Sequence, residues 1–189
     1  MSEKNAAVKY IEKAGKLLSA MNTFSVEEIT SELNRCLVCR GKILICGNGG
    51  SASDASHFAG ELVGRFRRER PAMAALALTV DPAVITAIGN DYGYEKVFSR
   101  QVEALGNHGD VLIAITTGGT SPNVLLAADT ATKQGMKVIA FTSKACMNAD
   151  WADLHWSAGS EETSHAQEEM LVVFHAICHG LEEMLGNNR

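Results

Sequence analysis

No stretch of this chain is apolar over the roughly 20 residues a helix needs to cross a bilayer. Its opening, MSEKNAAVKYIEKAGK, holds no apolar core of the signal-peptide kind. A cytoplasmic location without membrane contact is therefore expected. A disulfide framework is missing too, because the five cysteines (Cys36, Cys39, Cys46, Cys146, Cys178) are odd in number and scattered, which suits reduced thiols. Cys36 and Cys39 form a CxxC late in an amphipathic helix rather than at the start of one, so packed thiols are expected there ahead of a redox or zinc pair. Positive charge is in deficit: 17 Lys and Arg against 22 Asp and Glu leave a net charge of -5. The overall field repels polyanions, and no nucleic-acid partner is expected. The one basic cluster, Arg65-Phe-Arg-Arg-Glu-Arg70, ends a predicted helix, where it answers the macrodipole or serves as a subunit contact or local anion clamp. Internal repeats, low-complexity segments and linkers are absent. With 189 residues, 46% apolar and 21% charged, the chain is expected to form a single domain, 1–40 as an N-terminal helical hairpin and 41–189 as an α/β core with a C-terminal helix.

What is present is a change of period. Ala7, Tyr10, Ile11, Ala14, Leu17, Leu18 and Met21 make a helical apolar stripe. A second helix is predicted from Ser25, where Ser25-Val-Glu-Glu28 reads as a capping box, burying Val26, Ile29, Leu33 and Leu37. From Lys42 onward, short apolar runs at 42–46, 74–78, 111–115 and 137–141 alternate with helical segments, and 153–157 adds a fifth candidate strand. Buried strands alternating with helices predict an α/β fold with a parallel sheet covered on both faces. The last twenty or so residues read as a helix with Met170, Phe174, Ile177, Leu181 and Met184 on one stripe, widened by Leu171, Cys178 and Leu185. Terminal helices this apolar suggest oligomerisation.

Two strand ends run into hydroxyl- and glycine-rich loops. The first is Gly47-Asn-Gly-Gly-Ser51; the second is Thr116-Thr-Gly-Gly-Thr-Ser-Pro122, with Ser121 as N-cap and Pro122 at the first helical position. Neither has the Lys of a Walker loop or the glycine spacing of a dinucleotide fingerprint. Either alone is as readily a tight strand-to-helix turn. Two of them, each opening a helix beyond the same end of a parallel sheet, favour one crevice for a phosphate monoester.

Below the first loop Asp54, His57, Glu61 and Arg65 share a helical stripe, with His57 and Glu61 at i,i+4. A histidine and a carboxylate so placed suit a divalent metal or proton transfer, and taken singly they also suit a solvated salt-bridging face. The last helix adds Gln167, His175 and His179; Cys146 and His165 are weaker candidates.

The ordered set Gly47-Asn-Gly-Gly-Ser51, His57-Phe-Ala-Gly-Glu61, Gly89-Asn-Asp-Tyr-Gly93, Phe98-Ser-Arg-Gln101 and Gln167 with His175 resembles the phosphoheptose isomerase family of SIS domains over nearly the whole chain. The resemblance implies conversion of sedoheptulose 7-phosphate to D-glycero-D-manno-heptose 7-phosphate through an enediol, the first step toward ADP-heptose for lipopolysaccharide or capsule. It also implies a zinc-dependent homotetramer with active sites near subunit interfaces. Carried over by position, His57, Glu61, Gln167 and His175 are the metal ligands. Glu61 is the base and His175 its partner for the oxygen proton. Asn48, Gly49, Gly50, Ser51, Glu61, Asn90, Asp91, Thr116, Thr117, Gly118, Ser121 and Gln167 contact substrate. Thr116 and Gly118 stand where the family has serines, His165-Ala166 where it has Arg-Ile, and Met170 where it has a histidine, departures that bear on substrate preference. On a continuous helix Gln167 and His175 lie about 12 Å apart and about 80° around the axis. Either Gln167 precedes the helix or a neighbouring subunit supplies one ligand. Two other readings are a regulatory SIS protein that binds the replication initiator, for which Glu61 would have no use, and an isomerase of another ketose phosphate.

Overall fold

Five short runs, apolar at most of their positions, set the sheet. A computed structural model of the chain describes residues 5–186. Strands β1 (Ile43–Gly47), β2 (Ala75–Ala77), β3 (Val111–Ile115), β4 (Lys137–Thr142) and β5 (Leu154–Ser157) pair in parallel in the order β2-β1-β3-β4-β5. Every residue of β1 and β3 is buried, as expected for strands covered on both faces. Alternate side chains divide between two cores. Ile43, Ile45, Ile113, Ile115 and Phe141 pack with helices α2 (Phe24–Val38), α3 (Gly50–Val63) and α7 (Thr163–Gly186). Leu44, Cys46, Leu112, Ala114 and Val138 meet α5 (Ser99–Leu105) and α6 (Pro122–Lys133), with Ile85 and Ile88 of α4 (Pro82–Tyr92) against them. The chain thus winds in both directions from the gap between β1 and β3, where the strand order reverses and where ligands of such sheets bind.

The first helix, α1 (Ala6–Ser19), has no buried residue, and its Val8, Ile11 and Leu18 are exposed. It touches α7, where the Tyr10 hydroxyl donates to Glu168 Oε1 at 2.8 Å and the Tyr10 ring stacks on His165 with centroids 4.1 Å apart. On α7, Met170, Phe174, Ile177 and Leu181 are buried.

Several local expectations change. The second helix begins at Phe24, with Thr23 as N-cap and no side-chain cap bond, so Ser25 lies inside the helix and forms no capping box. The neighbouring Asn22 Oδ1 accepts from the Phe24 N–H at 3.0 Å, and a local acceptor one turn earlier wins the terminus. Ser121 holds the N-cap position of α6 without a side-chain cap bond; its hydroxyl turns to Thr116 Oγ1 at 3.1 Å. Helix α3 stops at Val63, so Arg65 is not on its stripe. The basic cluster is only partly a solvated helix end, because the Arg70 side chain is 6% exposed. Among the described residues, no helix is long and apolar enough to cross a membrane.

Candidate active site

The loop after β1 needs its glycines at two places for two reasons. Gly49 has φ +58, a conformation side chains resist. Gly50 has ordinary backbone, but a Cβ there would drive into the Gln167 side-chain amide, 2.7 Å from its Oε1 and 2.8 Å from Cδ. The loop after β3 is tied down by the loop after β4: Ser143 donates through both N–H and Oγ to Thr117 O, at 3.0 and 2.7 Å. Gly119, at φ +71, lies where a Cβ would collide with the Cys146 side chain.

The two phosphate-candidate loops meet through a reciprocal amide pair. Asn48 Nδ2 donates to Asn123 Oδ1 and Asn123 Nδ2 donates back to Asn48 Oδ1, both at 2.9 Å, and the Tyr94 hydroxyl adds a third bond to Asn48 Oδ1 at 3.0 Å. A cleft of ≈ 320 Å³ opens here, lined by Asn48, Tyr94, Glu95, Ser121, Pro122 and Asn123. Helix N-termini on both sides give it positive potential, with Ser and Asn groups to orient an anion. Asn123, Tyr94 and Glu95 were missed in the sequence. Asn123 sits one residue beyond the Ser-Pro start of α6, and Tyr94 in a single 3-10 turn (Tyr94–Lys96) right after the Gly89–Gly93 segment, which is the only hint the sequence offers. Asn90 and Asp91, at the exposed end of α4, bond to each other at 2.7 Å rather than to either loop. Ser51 is buried in the first turn of α3, while Thr117 and Gly118 reach the surface beside Thr116.

Two turns along α3 a second constellation forms. Helices α3 and α7 run side by side in the same direction, with Gly50 beside Gln167, Phe58 stacked on Phe174 (centroids 4.7 Å apart) and His57 opposite His175. The His57 and His175 Nε2 atoms are 2.9 Å apart, His57 Nε2 is 3.6 Å from Glu61 Oε1, and one ligating atom from each of the three residues falls within 4.8 Å of the others. Two imidazole nitrogens and a carboxylate converging on one point are the donor set that suits a zinc ion. His179 is exposed and outside the group. Helix α7 is continuous from Thr163, so Gln167 does not precede it. Within the chain Gln167 stands at the Gly50 level, about 12 Å along the axis from His175.

Electrostatics single out Asp54, between these two levels. Burial pushes its carboxyl up to about 6, against the pull of His57, and Oδ2 is buried without a partner among the described residues. The thiols of Cys36, Cys46 and Cys178 are raised by burial, to about 11, 12 and 12. All five cysteines are free, with Cys39 exposed.

Comparison with known proteins shows the family. The SIS domain family matches residues 9–143. The chain is similar to the phosphoheptose isomerase of Dechloromonas aromatica, 44% identical over 174 residues covering 89% of this chain and 86% of the relative. It is 50% identical to the phosphoheptose isomerase of Campylobacter jejuni serotype O:6 over 152 residues, covering 80% of this chain and 82% of the relative. The solved structure of a phosphoheptose isomerase from Francisella tularensis superposes with a TM-score of 0.88 at 34% identity, covering 97% of this chain and 100% of that one.

Proposed function

Because the chain belongs to the SIS-domain family and within it to the phosphoheptose isomerases, as an aldose-ketose isomerase, we propose that it interconverts sedoheptulose 7-phosphate and D-glycero-D-manno-heptose 7-phosphate at the cleft and the His57–Glu61–His175 cluster. The observation that carries this is the meeting of two histidines and a carboxylate from separate helices, two turns along α3 from an anion-suited cleft. The distance is apt. With 1.5 Å of rise per residue His57 lies about 10 Å from Gly50, comparable to a seven-carbon sugar phosphate stretched from its phosphate to its carbonyl end.

Aldose-ketose exchange needs one base that removes a proton beside a carbonyl and returns it to the adjacent carbon through an enediol. Glu61 is that base, half-buried beside His57. His175 carries the proton between the two oxygens, and its ring is held by Phe66, stacked at 5.2 Å. The phosphate sits between the loops, with Thr116, Ser121 and Asn48 as side-chain donors. His57, Glu61 and His175 would hold zinc, which supplies Lewis-acid polarisation of the carbonyl oxygen. To act as base, Glu61 would need its carboxylate free of the metal. Gln167 would serve as a fourth ligand from a neighbouring subunit, a role supported by its distance from His175 in its own chain. A tetramer gains further support from α1, where Val8, Ile11 and Leu18 stay exposed within the chain. A cytoplasmic location fits a soluble sugar phosphate as substrate.

Isomerisation of sedoheptulose 7-phosphate in deuterated water tests the reading. Wild type should turn over with deuterium incorporation, Glu61→Gln should lose on the order of 10²–10⁴-fold, and a chelator should silence wild type. Equal turnover of five-, six- and seven-carbon sugar phosphates would defeat the heptose assignment. No turnover by folded, zinc-loaded wild type would defeat the enzyme.

A further inference from the structure

The arginine-rich segment after α3 has no part in the chemistry described so far, yet it contains one of the most thoroughly satisfied charge pairs in the molecule. Glu182 lies seven residues beyond His175 on α7, two turns along and on the same face. Its side chain is fully buried. Oε1 accepts from the Phe66 N–H at 3.0 Å and from Arg70 Nε at 3.3 Å. Oε2 accepts from the Arg67 and Arg68 N–H groups, both at 3.1 Å. Arg70, also buried, spends its remaining donors on the end of α3. Nη2 donates to the backbone carbonyl of Glu61 at 2.6 Å, and Nη1 donates to Leu62 O at 2.9 Å and to Pro71 O at 3.1 Å.

These contacts lead to both members of the proton-transfer pair. Arg70 caps the last-turn carbonyls of α3, one of them belonging to Glu61 itself, so the backbone that carries the carboxylate is fixed by a rigid, charged fork. Glu182 fixes the Phe66 backbone, and the Phe66 ring lies on His175 at 25° between planes. A buried ion pair is a poor route to stability, since apolar replacements of similar volume are often as stable or more so. Its advantage lies in direction: the bonds that Glu182 accepts from the 66–70 segment, with those that Arg70 donates to Glu61 O and Leu62 O, define where a loop and a helix end stand relative to α7.

We infer that Glu182 and Arg70 form a positioning unit that sets the relative placement of Glu61 and His175, acting on Glu61 through its backbone and on His175 through Phe66. The inference rests on the isomerase reading above. Neither residue touches the substrate cleft, so the effect belongs on turnover and on metal affinity rather than on sugar phosphate binding.

The test compares wild type with Glu182→Gln, Arg70→Lys and Phe66→Leu, measuring kcat, KM, thermal unfolding, and zinc affinity by competition with a chromogenic chelator. For folded Glu182→Gln and Arg70→Lys, KM should stay within about threefold while kcat falls roughly 10–100-fold, the loss associated with sub-ångström to ångström misplacement, and zinc should bind at least about tenfold more weakly. In a Glu61→Gln background the Glu182→Gln change should cost less further turnover than in wild type, because one of the two groups it positions is gone. If Glu182→Gln does not fold, Phe66→Leu carries the test, since it leaves the ion pair intact and should show a smaller loss confined to kcat. Unchanged kcat and zinc affinity in a folded variant, or an equal loss in the Glu61→Gln background, would overturn the inference. Absence of turnover in wild type would instead remove the functional reading, and the zinc affinities would still decide whether this unit shapes the cluster.

Discussion

Replacing Gly50 with alanine should separate activity from stability. The backbone there is ordinary, and alanine in a helix is favoured over glycine by roughly 0.5–1 kcal/mol, less at a first turn. Against that stands the new methyl, nearest to Gln167 Nε2 and also 2.7 Å from its Oε1 and 2.8 Å from Cδ where ordinary contact begins at 3.4 Å, so the amide must retreat by about 1 Å. The clashing atoms are the far end of a flexible side chain, and a rotamer change relieves them at little cost. Melting temperature should therefore move by no more than about 3 °C in either direction, given 2–4 °C per kcal/mol for a chain of this size. Turnover should not escape so easily. A displacement approaching 1 Å in a group that holds metal or substrate costs on the order of 10- to 100-fold in kcat/KM. The assay is steady-state isomerisation of sedoheptulose 7-phosphate beside a thermal melt, for Gly50→Ala, Gln167→Ala and the double variant. If Gln167 is the affected group, the double variant is no worse than Gln167→Ala. Full activity in Gly50→Ala, or additive losses in the double variant, would refute the reasoning.

Asp54 gives a pH signature. Its carboxyl is raised from 3.8 to about 6 by burial, so burying it costs nothing below about pH 4, where folded and unfolded chains both hold the proton, and the penalty grows up to about pH 6. In chelator-treated protein Asp54→Asn should match wild type in melting temperature at pH 4 and exceed it at pH 7.5; a difference that stays flat with pH would contradict this. Asn123, 3% exposed, makes both bonds of the amide pair with Asn48. Asn123→Ala should cost about 1–3 kcal/mol in denaturant unfolding and raise KM for the sugar phosphate more than it lowers kcat.

The parts of the fold set by local pattern were legible in the sequence. The run Val111–Ile115 is a strand at its predicted bounds, and the other four strands differ from expectation by one residue at one or both ends, because an apolar run between turn residues has few other solutions. His57 and Glu61 were legible as a pair because i,i+4 spacing places them together whatever the rest of the chain does. The partnership of His57 with His175 was not, since it depends on how α3 docks on α7 across 118 positions of sequence. No local rule encodes that docking, and the motif resemblance supplied it. Glu182 and Arg70 were missed for a related reason: a glutamate and an arginine in charged segments look solvated until tertiary packing encloses them. Ser25 was misjudged as a cap because the serine pattern competes with Asn22, which sits nearer the true helix start.

The side-by-side course of α3 and α7 places a constraint on length rather than on identity. Gly50 faces Gln167 and His57 faces His175, so seven residues on one helix are matched by eight on the other. One residue inserted between Gln167 and His175 would turn everything after it by about 100° and slide it by 1.5 Å. His175, the partner of Phe58 and Glu182 would all lose their counterparts together. Descendants of this chain are therefore free to exchange many of the side chains in that interval, while any that gain or lose a residue there must give up the site.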